Sequence, residues 1–560
     1  MENSLNGILQ RLCGCIPARV SLGVLAFLGF VIMTSVRINL SVAIVAMVRQ
    51  NSSNIIKGRA ECQQGNESWL VLEQEKGGGG NSTTSIPWEE DGRMEGDEDE
   101  GLEWDEMTQG LVLASFFYGY IFTQIIGGRF AEVYGNKNHL WALWSDEWLF
   151  SRSSRRAARY HYGALIAVRA LMGFFQGPMW PSMHALVPRW IPPLEKSRFV
   201  SCVYFGSNLS MMATLAVSGI IVDSLGWDAA FYIPGTICLV WALCWLLLVA
   251  DTPTQHPRIS QEEKEYIENV VRKSGSSWKR PRKVPWRSLL TCVPFWVTVA
   301  VDVGNMFGLT VFFSLLPTYM KNVLGFSIKE NGLLSSLPFL FRYLGALTFS
   351  FFGDWIISTD KLRFITMRRL SSAIAYGVFS IPLSLFFLHN VCLKLTYVHL
   401  YLFLFIFYAD KHLHSTMRRN YLSSAMFFPA ILAVVTAYSG CSAAATVSFL
   451  CLMNFTNGAV VNSILVNYTD IAPNFSGTIF GIGNTAGAIM MFLAPVCAAA
   501  VIQGQQTMLQ WRKVFWMCVP MYVVPEVFYL IFCSATVQPW NSAGEEEDEE
   551  EAASLDKLSI

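Results

Sequence analysis

Val20-Ser-Leu-Gly-Val-Leu-Ala-Phe-Leu-Gly-Phe-Val-Ile-Met-Thr-Ser-Val-Arg37-Ile-Asn-Leu-Ser-Val-Ala-Ile-Val-Ala-Met47 is a run of 28 residues with one ionisable side chain, Arg37. As a helix it would extend about 42 Å, more than the roughly 30 Å hydrocarbon core of a bilayer. The run is too long for the core of a signal peptide and has no small-residue cleavage site, so it reads as a retained first span. Ten further runs of spanning length follow: Gly110–Phe130, Gly163–Val187, Phe199–Ile221, Phe231–Ala250, Cys292–Leu316, Gly332–Ile357, Ser424–Tyr438, Ala443–Val466, Gly477–Val501 and Val514–Phe532.

Composition agrees with this pattern. The 560 residues are 52% hydrophobic and 15% charged, whereas a soluble globular chain carries roughly 25% charged residues. The net charge of −1 divides unevenly. Glu89 to Glu106 holds 11 acids and one base, Glu545 to Glu551 holds 7 acids and no base, and the rest has 24 acids against 40 bases. A hydrophobic body with basic loops and two acidic appendages argues against nucleic acid as a partner. Most of the thirteen cysteines lie in apolar runs, where a thiol acts as a small hydrophobe. There is no disulfide framework and no zinc spacing. Cys13 and Cys15 precede the first span, a place for palmitoylation, against the plainer reading of two unmodified thiols.

The loops orient the chain. Between the first two spans (49–108) lie three N-x-S/T sequons at Asn51, Asn66 and Asn81, a tetraglycine and the acidic run, a composition suited to a glycosylated lumenal or extracellular loop. The stretch 251–290 carries nine Lys and Arg residues, which the positive-inside rule assigns to the cytosol. We therefore expect an all-α polytopic membrane protein. A cytosolic segment 1–19 is followed by an N-terminal bundle 20–250, a basic linker 251–290, a C-terminal bundle 291–534 and an acidic cytosolic tail 535–560. Two bundles joined by a basic linker have the layout of a secondary transporter, with substrate between the halves.

Two regions depart from this layout. Parity requires one more span before Gly163, yet 136–160 contains His139, Asp146, Glu147, Arg152, Arg155, Arg156 and Arg159. Each charge at the bilayer centre costs about 2.5–3.5 kcal/mol, so the stretch is not expected to insert as an ordinary helix. Also, Thr366-Met-Arg-Arg369 with Leu-Ser-Ser-Ala373 recurs as Thr416-Met-Arg-Arg419 with Leu-Ser-Ser-Ala425, enclosing an apolar insert at 371–415. A misread frame or retained non-coding sequence would account for both regions, and so would a duplicated exon beside a degenerate third helix. Sequencing the mature transcript distinguishes these accounts.

Ionisable and polar residues inside spans are the first functional candidates. Arg37 facing a cavity would bind a carboxylate or phosphate, the plainer reading being an arginine paired to another helix. His184, with an ordinary pKa near 6.5, would report a proton gradient, or else be a neutral histidine bonded within the bundle. Arg169 is either a substrate contact or a snorkelling arginine. Asp302 and Asn305 offer cavity contacts and, at Asp302, a cation site. Glycines spaced three to four apart (Gly119, Gly127, Gly128; Gly173, Gly177; Gly477, Gly481) allow close helix packing.

Several segments, taken in order, resemble one family. They are Arg37-Ile-Asn-Leu-Ser-Val-Ala-Ile44, Ser115 to Gln124 followed by Gly127-Gly128, and Arg169 to His184 leading to Trp190-Ile-Pro-Pro-Leu-Glu195. Then come His256-Pro-Arg-Ile-Ser260, Leu316-Pro-Thr-Tyr-Met-Lys321, Asp470-Ile-Ala-Pro473 and Gln538-Pro-Trp-Asn541. Over residues 20–143, 160–360 and 415–541 the chain resembles the anion:cation symporters of the major facilitator superfamily. That group contains sodium/phosphate cotransporters, sialin and vesicular glutamate transporters, and this chain looks like an invertebrate-type member. The resemblance implies two six-helix bundles, with Arg37 as a substrate-facing arginine and His184 as the fourth-helix histidine. It also implies a gating turn, Gly128 to Lys137, in which Glu132 and Lys137 latch the halves and Gly135 shapes the turn. Two departures stand out. Many members have a glutamate where this chain has Gln176, which cannot carry a coupling proton. The vesicular glutamate branch has an arginine where Asn305 aligns, which disfavours glutamate packaging.

The expected function is symport of an organic or inorganic anion by alternating access, at the plasma membrane or a lysosomal or vesicular membrane. A Na⁺ or H⁺ gradient would drive it, with no other cofactor and no metal, in a monomer. The alternative is a non-transporting sensor or pseudotransporter. A membrane acyltransferase is disfavoured, since His184 has no acid within ten residues, and no nucleotide-binding loop supports ATP-driven pumping.

Overall fold

The run that opens the chain folds as one helix, α1 (Ala18–Met47), in the computed structural model of the protein. The structure describes residues 17–47, 102, 104, 106–192, 195–273, 283–324, 328–358, 429–502, 507–534 and 536–542. Cys13, Cys15, Asn51, Asn66, Asn81, the insert 371–415 and the acidic tail lie outside them. After α1 come α2 (Glu106–Tyr134), α3 (Lys137–Tyr160), α4 (Tyr162–Gln176), α5 (Met179–Trp190), α6 (Lys196–Tyr204), α7 (Gly206–Leu225) and α8 (Ala229–Leu248). The linker carries α9 (Gln261–Lys273) and α10 (Trp286–Leu290). Beyond it are α11 (Val293–Asn322), α12 (Ile328–Ser358), a helical stretch at 429–437, α13 (Ala443–Asn457), α14 (Val466–Ile471), α15 (Ser476–Ile502) and α16 (Met508–Phe532).

Six of the described helices are long and apolar enough to cross a membrane, α1, α2, α8, α11 and α16 among them. Three of the expected spans are interrupted. The fourth breaks at Gly177-Pro178 between α4 and α5, where proline has no N–H to continue the ladder. The fifth bends at Phe205 between α6 and α7. A π-helical turn, Val461–Leu465, separates α13 from α14. Helices α1 to α8 pack on one another and α11 to α16 do likewise, and the two groups meet where α2 and α5 lie on α15 and where α6 and α7 lie on α12. Close backbone approach makes this possible. Gly119 sits against the Ala170 carbonyl within the first group, and Gly128 sits against the Gly477 carbonyl between the groups, leaving no room for a Cβ.

The third position is helical despite its charge. Residues 137–160 form a continuous 24-residue helix packed between α4 and α8, although its composition keeps it outside the apolar set. Sorting by face and by end makes this possible. Ser151, Ser154, Ala157 and Ala158 are buried, and the Ser151 hydroxyl donates to the Phe231 carbonyl at 2.7 Å. Arg152, Arg156 and Arg159 lie on the exposed side. The last turns are partly neutralised: Arg155 pairs with Asp228 at 2.8 Å, Arg159 reaches the same carboxylate at 3.8 Å, and the Arg159 guanidinium lies 5.5 Å from the Trp227 ring centre. Charges at a helix end can reach the interface, so the central-bilayer penalty does not apply to them.

Candidate functional site

Three clusters hold the residues singled out in the sequence. The first surrounds Arg37, a little past the midpoint of α1. Its guanidinium lies over the rings of Phe117, Phe116 and Tyr120, at 4.7, 5.3 and 5.9 Å from their centres. These aromatics come from the Ser115–Gln124 motif of α2, and no described acid pairs with Arg37. A half-buried cation held by ring faces keeps its N–H donors available for an anion. Arg169 is 2% exposed and does not snorkel. Its Nη2 donates to the Arg37 carbonyl at 2.8 Å and its Nη1 to the Val36 carbonyl at 3.4 Å, so it fixes the turn of α1 that carries Arg37. Gln176 joins the same seam, donating to the Met33 carbonyl at 3.4 Å.

The second cluster lies at mid-depth in the second half. Asp302 is buried on α11, where its Oδ2 accepts from the Tyr468 hydroxyl at 3.4 Å. Asn305, one turn on, accepts through Oδ1 from Asn457 Nδ2 at 2.9 Å. Asn457 Oδ1 accepts from Arg342 Nε at 3.0 Å. Sequence reasoning missed Arg342, although the signal was plain: it is an arginine inside the apolar run Gly332–Ile357, the same feature that marked Arg37.

The third cluster closes the end of the bundle nearest the linker. The Glu132 carboxylate accepts from Thr478 N at 2.7 Å and Thr478 Oγ1 at 2.6 Å, in the first turn of α15, and from Arg129 at 3.2 Å. It thus caps the N-terminus of a helix in the opposite half, where the helix dipole favours an anion. Lys137 takes a different place from the one expected: its backbone N–H and that of Asn136 donate to Asp251 Oδ1 at 2.8 and 2.6 Å. Gly135, at φ +97°, makes the turn that aims them there. Lys196 reaches Asp470 across the halves at 3.7 Å. His184 is fully buried, stacked 3.5 Å from Phe480 of α15, with its Nδ1 3.1 Å from the Trp180 carbonyl. It stands between the halves, apart from Arg37.

Other motif residues serve the same end. Asn541 clamps Asn474 through two hydrogen bonds of 3.0 and 3.2 Å. His256 and Arg258 both bond the Leu248 carbonyl at the end of α8. Burial, with Arg258 beside it, holds the His256 imidazole below its ordinary pKa of 6.5. The neutral ring then donates from Nε2 to that carbonyl and accepts the Arg258 N–H at Nδ1, 3.2 Å away.

Two packed helical halves tied together at the linker end, with an arginine held over aromatic rings inside the first, are the arrangement of a polytopic membrane transporter. The proton:xylose symporter XylE, in its structure with 6-bromo-6-deoxy-D-glucose, shares the fold, with a TM-score of 0.59 at 14% identity over 94% of this chain and 98% of that one. The Major Facilitator Superfamily model matches residues 25–409. Human sialin is 32% identical over 94% of this chain and 91% of its own length, and a Drosophila melanogaster putative inorganic phosphate cotransporter is 30% identical over 99% and 91%. The chain belongs to the major facilitator superfamily, in the group that holds sialin, the phosphate cotransporters and the vesicular glutamate transporters. It is therefore a multi-pass membrane transporter.

Proposed function

We propose that the chain is a symporter of a small anion, organic or inorganic, driven by a Na⁺ or H⁺ gradient. The observation that carries this reading is Arg37: a guanidinium over three rings, with no described acid to neutralise it and its backbone held by Arg169. A charge kept unneutralised inside an apolar bundle costs free energy, and binding an anionic substrate offsets that cost. The sialin and phosphate cotransporter relatives support the same class of cargo. For coupling we assign Asp302, because Gln176 cannot titrate and Asp302 is a buried acid with a carboxylate oxygen, Oδ1, that meets no hydrogen-bond donor. We place both termini and the linker in the cytosol, from the basic residues of 251–290. The Glu132–Thr478 contact then closes the cytosolic side.

The test is uptake into proteoliposomes with Na⁺ and pH gradients imposed separately, using phosphate, sialic acid, aspartate and glutamate as probes. Uptake should follow one gradient and be lost in Arg37→Met. Undiminished uptake in that variant would remove Arg37 from the site, and equal uptake without any gradient would overturn symport.

A further inference from the structure

Helices α2 and α15 meet along a seam that runs from the linker end to the rings around Arg37. Glu132 caps α15 at Thr478, Gly128 lies on the Gly477 carbonyl, and Gly481 lies on the Gln124 carbonyl. At the next step Asn484 of the second half crosses to the first. Its Nδ2 donates to Gln124 Oε1 at 2.9 Å and to the Tyr120 hydroxyl oxygen at 3.3 Å. Tyr120 is one of the three rings beside the Arg37 guanidinium, and Gln124 follows it by one turn of α2. An amide nitrogen only donates, so both first-half groups accept from Asn484. Gln124 keeps its Nε2, which is fully buried and meets no acceptor, and Tyr120 keeps its hydroxyl proton.

We propose that Asn484 is a positioning residue for anion transport: it sets the direction of the hydrogen bonds at Gln124 and Tyr120, and so decides from the second half whether the wall beside Arg37 offers donors or an acceptor. This deepens the reading of Arg37 as the anion site and rests on it. The same two contacts fit in the reverse sense, with both amides turned over. Asn484 Oδ1 would then accept from the Tyr120 hydroxyl and from Gln124 Nε2, and Gln124 would be left with a bare oxygen. In the observed sense the unspent groups are an N–H and an O–H, which join Arg37 as donors. An oxyanion only accepts, so it selects the observed sense and is repelled by the other. Opening the linker end parts α2 from α15 and takes Asn484 away from both partners. Gln124 and Tyr120 are then no longer held as donors, and the anion is bound less tightly. Affinity at Arg37 thereby follows the state of the seam.

The test uses the full chain in oriented proteoliposomes with phosphate, sialic acid, aspartate and glutamate as probes. It reads the half-saturating concentration, which does not depend on how much protein folds. Asn484→Asp keeps the shape and can only accept, so it imposes the reverse sense and should raise that concentration at least about tenfold. Its charge alone would also weaken anion binding, and a double-mutant cycle separates the two causes. With Tyr120→Phe and Gln124→Met in place there is nothing left to orient, and the same change should cost about threefold or less. An undiminished effect in that background would mean that Asn484→Asp acts by charge alone, and overturns the proposal. Asn484→Ala should raise the half-saturating concentration about fivefold from the side opposite the linker and leave the linker side within about twofold. An equal rise on both sides overturns the dependence on the seam. If Arg37→Met abolishes uptake while Asn484→Asp changes nothing, the Arg37 reading stands and this one falls. If Arg37→Met changes nothing, or the wild-type chain takes up none of the probes, both fall.

Discussion

Arg37 and Arg169 meet at the same turn of α1, one as its side chain and the other as its clamp, and their guanidinium groups are used differently. Arg169 gives donors to the Val36 and Arg37 carbonyls and is closed off from solvent, whereas Arg37 lies over ring faces with no described acid beside it. A charge inside a membrane bundle is therefore a candidate for binding substrate only when its donors are not already taken by protein. Arg37 passes that test and Arg169 does not, although both satisfy the sequence rule that singles out ionisable residues in spans.

Substitution separates the two roles. Arg37→Met should cost about 3 kcal/mol of anion binding, the upper range for a hydrogen bond to a charged group, or roughly a hundredfold in half-saturating substrate. Expression and thermal stability should stay unchanged. Arg169→Met should show the reverse, losing about 2 kcal/mol of stability with a smaller change in substrate affinity among folded molecules. Thermal unfolding in detergent and uptake kinetics on the same preparations decide the matter; equal loss in both assays for both variants would erase the distinction.

The latch invites a milder break. Glu132→Gln keeps the shape but removes the negative charge from the first turn of α15, an effect of about 1–2 kcal/mol in a buried setting and a five- to thirtyfold shift between states. The linker side should open more often. A cysteine introduced at Ala185, which faces Gly477, reports this by its rate of thiol labelling. An unchanged rate would mean that Lys196–Asp470 and the Gly128–Gly477 contact hold the closed state without the carboxylate.

The sequence carried the architecture because spans are set by length: the runs at Val20, Gly110, Cys292 and Gly477 fall within α1, α2, α11 and α15, or miss them by a single residue. The family resemblance also pointed to the turn after α2, where Gly135 takes a positive φ and Glu132 reaches Thr478 of the other half. The breaks at Phe205 and Val461–Leu465 were not legible, because nothing local forces a bend there and packing against the other half decides it. Lys137 was misplaced for a related reason: its partner Asp251 lies 114 residues away. Arg342 was legible by rule, yet its role depends on Asn208, Asn305 and Asn457 from three other helices, a convergence that no spacing along the chain records.

The smallest effect concerns α3. If its terminal arginines were what held it, removing their shared partner Asp228 would release it. The Asp228 side chain is 22% exposed and that of Arg155 35%, a setting in which an ion pair contributes about 0.2–1 kcal/mol. The opposite face is better anchored: Ser151 donates to the Phe231 carbonyl and lies so close to Gly235 that a Cβ there would approach it to 3.0 Å. Asp228→Asn should therefore lower stability by under 1 kcal/mol. The loss should shrink in high salt, which screens the pair in the parent protein as well. Ser151→Leu should cost several times more, because the added side chain has no space between α3 and α8. Thermal unfolding of the two variants at low and high salt ranks the contributions. A larger loss for Asp228→Asn would mean that the charged turn, and not the small-residue face, keeps this helix in the bundle.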